Sequence, residues 1–193
     1  YFENDYYRFI NGLLNNKALA TQENIFIQDV INLTPKIEFT LGARQAWQQN
    51  NIQQIINIDN AYQNVVTVYE LGLSYQLLPD WRLYIRRDGN FRFPKANENL
   101  FTPVNTKSLQ AQTGISYEAG FEWGSVNKNI KASVYRLIID NEIAFNPTQT
   151  PLQPLGANTN IGATIRDGLA ISTIFPVVAA IDIAGEFSYV NPY

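Results

Sequence analysis

Residues Ile37-Glu38-Phe39-Thr40-Leu41-Gly42-Ala43-Arg44 decide the fold. Alternate positions read Ile, Phe, Leu, Ala, and the positions between them read Glu, Thr, Gly, Arg. A period of two sends one set to each face of a β-strand, so this stretch predicts a strand with one apolar and one polar face. The same alternation returns at 69–76, 117–123 and 181–189. Working outward, it gives eight strands, near 23–32, 37–48, 65–76, 81–91, 112–123, 130–145, 161–174 and 180–190. Many run about ten residues or more, against roughly 5–6 in a usual globular strand. Ten tilted residues are about what a β-strand needs to cross a bilayer.

The connections alternate as the strands do. Leu33-Thr34-Pro35-Lys36, Leu77-Leu78-Pro79-Asp80, 124–129 and the turn near Pro176 are short. Segments 49–64, 92–111 and 146–160 are long, the first rich in Gln and Asn and the others carrying prolines. An up-and-down barrel in the outer membrane has this asymmetry, with tight turns at one end and long loops at the other. Trp81, Trp123, Tyr75 and Phe175 fall near predicted turn ends, and Tyr69 and Tyr189 lie farther along apolar faces. Amphipathic rings favour the membrane–water interface. The expected class is all-β: an antiparallel up-and-down transmembrane barrel wall of about eight strands, or four hairpins.

Composition agrees with this and excludes several chemistries. Of 193 residues, 46% are hydrophobic, 13% aromatic and 16% charged. The charged share is below the roughly 25% of a soluble domain. Cys, His and Met are absent. This sequence therefore contains no disulfide, thiolate nucleophile, imidazole base or soft-metal ligand. The missing Met also marks it as a processed product or a piece of something longer. Net charge is −3 and pI is near 5.0, with no basic stripe for nucleic acid. No apolar run reaches 18 residues; the best window, 169–185, is broken by Ser172, Thr173, Pro176 and Asp182. That excludes a spanning helix and leaves a barrel open.

Several weak motifs then fall in order. Ile25-Phe26-Ile27-Gln28-Asp29, Leu33-Thr34 and Phe39-Thr40-Leu41-Gly42-Ala43-Arg44 form one hairpin. Leu71-Gly72-Leu73-Ser74-Tyr75, Trp81-Arg82-Leu83-Tyr84 and Asn90-Phe91-Arg92-Phe93-Pro94 follow, then Ser116-Tyr117-Glu118-Ala119-Gly120-Phe121. Ala132-Ser133-Val134-Tyr135-Arg136, Asp140-Asn141-Glu142-Ile143, Arg166-Asp167-Gly168 and Phe187-Ser188-Tyr189-Val190-Asn191-Pro192-Tyr193 complete the series. Together they resemble the TonB-dependent outer-membrane receptors. Asn90 stands where that family often has Gly, Leu109-Gln110-Ala111-Gln112 lacks the usual Pro-Glu, and Ala170 replaces a frequent Glu.

The resemblance implies a barrel of about 22 strands, of which this would be part. It also implies an N-terminal plug and a TonB-contacting segment, neither of which this sequence contains. Residues 1–193 are then expected as barrel wall, with 1–22 as the remnant of an extracellular loop. Implied function is outer-membrane uptake of a scarce ligand, foremost a ferric siderophore. Implied partners are that ligand, TonB through the N-terminal region, and outer-membrane lipid and lipopolysaccharide. Two other functions fit the pattern: a self-contained eight-stranded membrane barrel for anchoring or adhesion, and a soluble ligand-binding barrel with its apolar face inward. Against the first, Gly42, Gly72, Gly120 and Ala184 would fill a small lumen poorly, and Pro192 spoils an aromatic strand terminus.

No constellation points to catalysis, and no cofactor is expected. Glu118 and Glu122 share a predicted face but lie roughly 13 Å apart on a strand, too far for a glycosidase pair at about 5–9.5 Å. Asp140 and Glu142 lack the loop pattern of a calcium site, so no metal site is expected. Glu38, Arg44, Glu70, Arg82, Glu118 and Glu122 are expected to face the lumen. Arg86 and Arg87 are candidates for an anionic ligand, with lipopolysaccharide as the alternative for whichever points outward. Tyr62, Phe101 and Phe145 are candidate loop aromatics for the same ligand.

Overall fold

The computed structural model describes residues 5–11, 14–53, 59–95, 98, 109–125, 127–148, 156–178 and 181–192. Strands dominate it: β1 (Asp5–Asn11), β2 (Leu14–Thr34), β3 (Ile37–Gln53), β4 (Asp59–Leu78), β5 (Trp81–Arg92), β6 (Gln112–Ser125), β7 (Lys128–Asp140), β8 (Ile143–Asn146), β9 (Ala157–Asn160), β10 (Thr164–Val178) and β11 (Ile181–Pro192). Nine form one sheet in the order β1-β2-β3-β4-β5-β6-β7-β10-β11, and β8 pairs with β9 separately. Every pairing is antiparallel. All eight expected strands are there, as β2 to β7, β10 and β11. Among the described residues the sheet is open, with β11 at one edge. A self-contained eight-stranded closure is therefore not what forms.

The differences lie at the long-loop end. Residues 14–22, expected in a loop, continue β2, and β1 pairs back on 14–20. Likewise β3 runs to Gln53 and β4 begins at Asp59, inside the expected loop 49–64. Amides there (Gln48, Gln49, Asn50, Asn51 against Gln63 and Asn64) break the apolar alternation, but backbone pairing needs no alternation and continues. The expected strand 130–145 divides at Asn141, whose φ of 55° turns the chain out of the sheet. Asn tolerates this left-handed conformation better than most residues. Asn160 Nδ2 closes the corner by donating to Asn141 O at 2.8 Å.

At the short-turn end the hairpins are tight. Thr34 Oγ1 accepts from the amides of Lys36 and Ile37. Gln76 Nε2 caps Leu78 O and Pro79 O. Bulges fall beside three of these turns, at Asn32/Thr34, Gln76/Leu78 and Pro176/Val178. Gly124 has φ of 110° and donates its amide to Asp80 O at 2.8 Å. A Cβ there would collide with the Lys128 carbonyl, so only glycine fits.

Register gives the sheet two chemically distinct faces. One carries Ile37, Phe39, Leu41, Leu71, Leu73, Leu83, Ile85, Ala119, Phe121 and Val134, and much of it is exposed. Leu73 is 41% exposed while its neighbour Ser74 is 8% exposed. On this apolar face Trp81 packs near Phe121 and Trp123, with ring centroids 5.7 and 6.3 Å apart, and Trp123 lies 6.4 Å from Phe175. Lys128 Nζ sits 5.3 Å from the Trp123 ring. The small closed core is elsewhere. Phe93 and Ala111 fold back onto Ala46 and Val66 at the long-loop end.

Candidate functional site

The polar face is built by the residues between the apolar ones. Glu38, Arg44, Glu70, Arg82, Glu118 and Glu122 all lie on it. Arg82 reaches Glu38 at 2.8 Å, Ser74 Oγ at 3.1 Å and Glu122 at 3.8 Å. Lys131 continues the chain to Glu122 at 3.1 Å. Arg86 pairs with Asp88 at 2.7 Å and Glu70 at 3.9 Å, and Gln28 Nε2 donates to Glu70 at 3.1 Å. Tyr84 OH donates to Glu118 at 2.7 Å. The wall from β2 to β7 is thus charged but internally neutralised.

Two tyrosines shape that wall. The Tyr84 ring lies over Gly120, where a Cβ would come within 2.7 Å of it. Tyr135 lies over Gly168 even more tightly. Glycines that look like vacancies in the sequence are thus seats for aromatic rings from the next strand.

Nearer the long-loop end the polar face holds a cavity of about 620 Å³. Asn24, Phe26, Gln28, Arg44, Asn90 and Phe91 line it. The Arg44 guanidinium sits 5.0 Å from the Phe91 ring centroid, a cation–π contact. Loop 93–95 closes over the wall above, with Gln48 Nε2 donating to the buried Pro94 O at 3.0 Å. The volume lies within the roughly 300–1,000 Å³ of small-molecule sites.

The expected ligand residues are scattered. Arg86 is on the polar face, engaged by two carboxylates. Arg87 is on the opposite, apolar face, in register with Leu71 and Tyr117. Adjacent strand residues cannot share a face, so Arg87 is the one of the two that points outward. Tyr62 stands opposite Asn50 on the β3–β4 extension, and burial raises its phenol above the ordinary 10.0. Phe145 is exposed on β8. Phe101 lies outside the described residues. Glu142 is occupied: it accepts from Thr164 Oγ1 at 2.6 Å and pairs with Arg166. Phe26, Asn24, Asn90 and Phe91 were missed because Phe26 breaks the polar alternation and Asn90 and Phe91 looked like the end of a strand.

Comparison with known proteins adds the family. The model described as TonB dependent receptor-like, beta-barrel, matches residues 1–191. Among solved structures, the alcaligin outer-membrane receptor FauA of Bordetella pertussis is 14% identical, with TM-score 0.72. That match covers 93% of this chain and 31% of FauA. The copper transporter OprC is 13% identical with TM-score 0.74, covering 90% of this chain and 29% of OprC. The ferripyoverdine receptor of Pseudomonas aeruginosa is 12% identical with TM-score 0.70, covering 93% and 23%. This chain therefore spans less than a third of each, and at such identities the likeness is one of fold. Comparison with curated proteins gives no sequence match.

Proposed function

The chain belongs to the TonB-dependent receptor β-barrel family, and from that premise we propose that it is part of the wall of an outer-membrane receptor that takes up a ferric siderophore. The observation that carries this reading is the division of the sheet into two faces. The exposed apolar face suits lipid, and the neutralised charge network suits a lumen that a plug or a passing ligand touches. Strand length supports it, since β3 and β4 exceed the roughly 9–11 residues a bilayer requires. Their amide-rich ends would project from the cell on the long-loop side. Energy for uptake would come from TonB, acting through a part of the receptor other than this wall.

Ligand contact on this reading falls to the cavity of Arg44, Phe26, Asn90 and Phe91, with Arg86 and Tyr62 on the same face of the sheet and Phe101 kept as a candidate. The segment has no His, Cys or Met. A metal held here would thus arrive wrapped in its own chelator, and an anionic complex fits cation and ring better than a bare soft ion does. The test is radioiron uptake by iron-limited cells, with and without the intact receptor, across hydroxamate, catecholate and mixed ferric siderophores. Loss of uptake of one class on deletion is expected. Unchanged uptake of every iron source would overturn the siderophore reading.

A further inference from the structure

We propose that the cavity on the polar face is an aryl site, built to take a ferric complex through a flat anionic ring such as a catecholate. This rests on the uptake reading above and deepens it by naming the ligand chemistry. The site depends on a strand crossing. Among the described residues β4 and β5 pair up to Glu70 and Asp88 and no farther, although β4 extends to Asp59 and β5 to Arg92. β5 stays paired with β6 as far as Arg92 and Gln112, so both strands leave β4 together. A Cβ on Gly89 would lie 2.8 Å from Val68 Cβ and 3.1 Å from Tyr69 N. Val68 stands opposite Arg44 on the polar face. The chain thus climbs over the polar face of β4 at Gly89, where a side chain would press on β4. The crossing reverses what alternation means. Leu83, Ile85 and Arg87 point to the apolar face, while Phe91 and Phe93, on the same side of β5, rest on the polar face with Ala46, Val66 and Val68. The Phe91 and Phe93 rings pack 5.1 Å apart, and the bond from Gln48 to Pro94 O anchors the segment beyond them. Phe91 is therefore held over the polar face by its surroundings.

Two aromatic residues then flank one cation. The Phe91 ring takes one face of the Arg44 guanidinium, at 5.0 Å. Phe26 stands directly opposite Arg44 on β2 and is 71% exposed, between the polar Asn24 and Gln28 of the same face. Arg44 forms no ion pair among the described residues. Glu70 shares the cavity, but Gln28 donates to it and Arg86 lies 3.9 Å away. With Asp88, which Arg86 holds at 2.7 Å, the four charges sum to zero, so net charge selects nothing. Arrangement does the selecting, because both carboxylates are drawn to Arg86 and Arg44 alone faces the rings. An electron-rich ring laid on the open face of the guanidinium gains cation–π attraction there. It also covers Phe26, since side chains directly opposite on paired strands are neighbours. A catecholate is such a ring, with two negative charges for each iron-binding arm. A hydroxamate arm has no ring and one charge, so a ferric tris-hydroxamate is neutral and meets neither requirement.

The experiment is radioiron uptake by iron-limited cells carrying the intact receptor. The probes are a ferric tris-catecholate, a ferric tris-hydroxamate and ferric citrate, which is anionic but has no ring. The catecholate is expected to show an apparent KM at least about tenfold below the other two. Phe26→Leu and Phe91→Leu should each raise that KM about tenfold and leave the maximal rate unchanged. Phe26 is exposed, so its replacement tests the site without disturbing packing. Phe187→Leu removes a ring from the apolar face and should change nothing. A lower KM for the hydroxamate, equal KM values for catecholate and citrate, or an unchanged catecholate KM in either Phe26→Leu or Phe91→Leu would each overturn the aryl site. This failure is distinct from a deeper one. Uptake of hydroxamate or citrate in preference to catecholate refutes only the aryl site. No receptor-dependent uptake of any ferric complex, these three or the mixed siderophores, refutes the uptake reading itself.

Discussion

At the scale of single residues, the sharpest constraint is the seating of tyrosine rings on glycine. Gly168 faces Tyr135 across the β7–β10 pair, and a Cβ there would overlap the ring outright. Tyr135 must move or the strands must part, and either loses packing across the polar wall. Gly168→Ala is therefore expected to destabilise the barrel by about 1–3 kcal/mol, the usual cost of overpacking a filled position. Urea unfolding of the receptor in detergent would measure it. Overpacking predicts a further result. In the background of Tyr135→Ala, the same substitution should cost much less, because the colliding ring is gone. Equal costs in the two backgrounds would place the effect in the backbone rather than in the ring. Residues such as Gly168 and Gly120 were opaque in the sequence, where a glycine on a polar face reads as empty space. What fills it comes from the neighbouring strand, and register with that strand is a long-range fact.

At the scale of elements, strand existence was legible and strand ends were not. Alternation marks the part of each strand that has two different environments, such as 37–47 of β3. Beyond Trp47 the side chains turn to Gln and Asn on both faces, although Gln48 and Asn50 are buried, and the apolar pattern vanishes while pairing goes on to Gln53. The corner at Asn141 was hidden for a related reason. Ile138, Ile139, Ile143 and Ala144 keep an apolar rhythm through it, and one residue's φ does the turning. The corner is held by Glu142, which joins the small β8–β9 hairpin to the start of β10. The Thr164 hydroxyl bond, with Arg166 beside it, holds the Glu142 carboxyl below its ordinary 4.5, against the opposing effect of burial. The sign follows from linkage: a depressed carboxylate stabilises fully above the unfolded value and loses that contribution as pH falls through the folded one. Local opening of the corner, read by hydrogen exchange at the Ile161 amide that bonds Glu142 O, should thus be easier in Glu142→Gln near pH 7. The two proteins should converge once the pH has fallen through the lowered folded-state value of the Glu142 carboxyl. A difference that persists unchanged in acid would mean the side chain acts by shape and not by charge.

At the scale of the whole molecule, the decisive property is that the sheet has edges. Among the described residues β11 pairs only with β10, and β2 beyond residue 20 pairs only with β3. In hydrocarbon each row of unpaired N–H and C=O groups would be unsatisfied, at several kcal/mol per group. Both edge strands also carry lipid-suited side chains, with Ile25, Ile27, Ile183 and Phe187 all exposed. Such a wall is stable in a bilayer only when further strands pair with both edges, as in the larger receptors it resembles in fold. The 193-residue segment, refolded alone into vesicles, should therefore give no monomeric, protease-protected species. Sedimentation should find it associated edge to edge or left outside the bilayer, while the same residues in the intact receptor should be protected. The contrary result has a definite meaning. A protected monomer would require β2 to pair with β11, drawing the open sheet into a small ring. The polar wall would then face a lumen too narrow for a plug, with Tyr84 and Tyr135 filling it. The anchoring barrel would then be the correct reading of the same alternating strands, and the uptake proposal would fall with the open sheet.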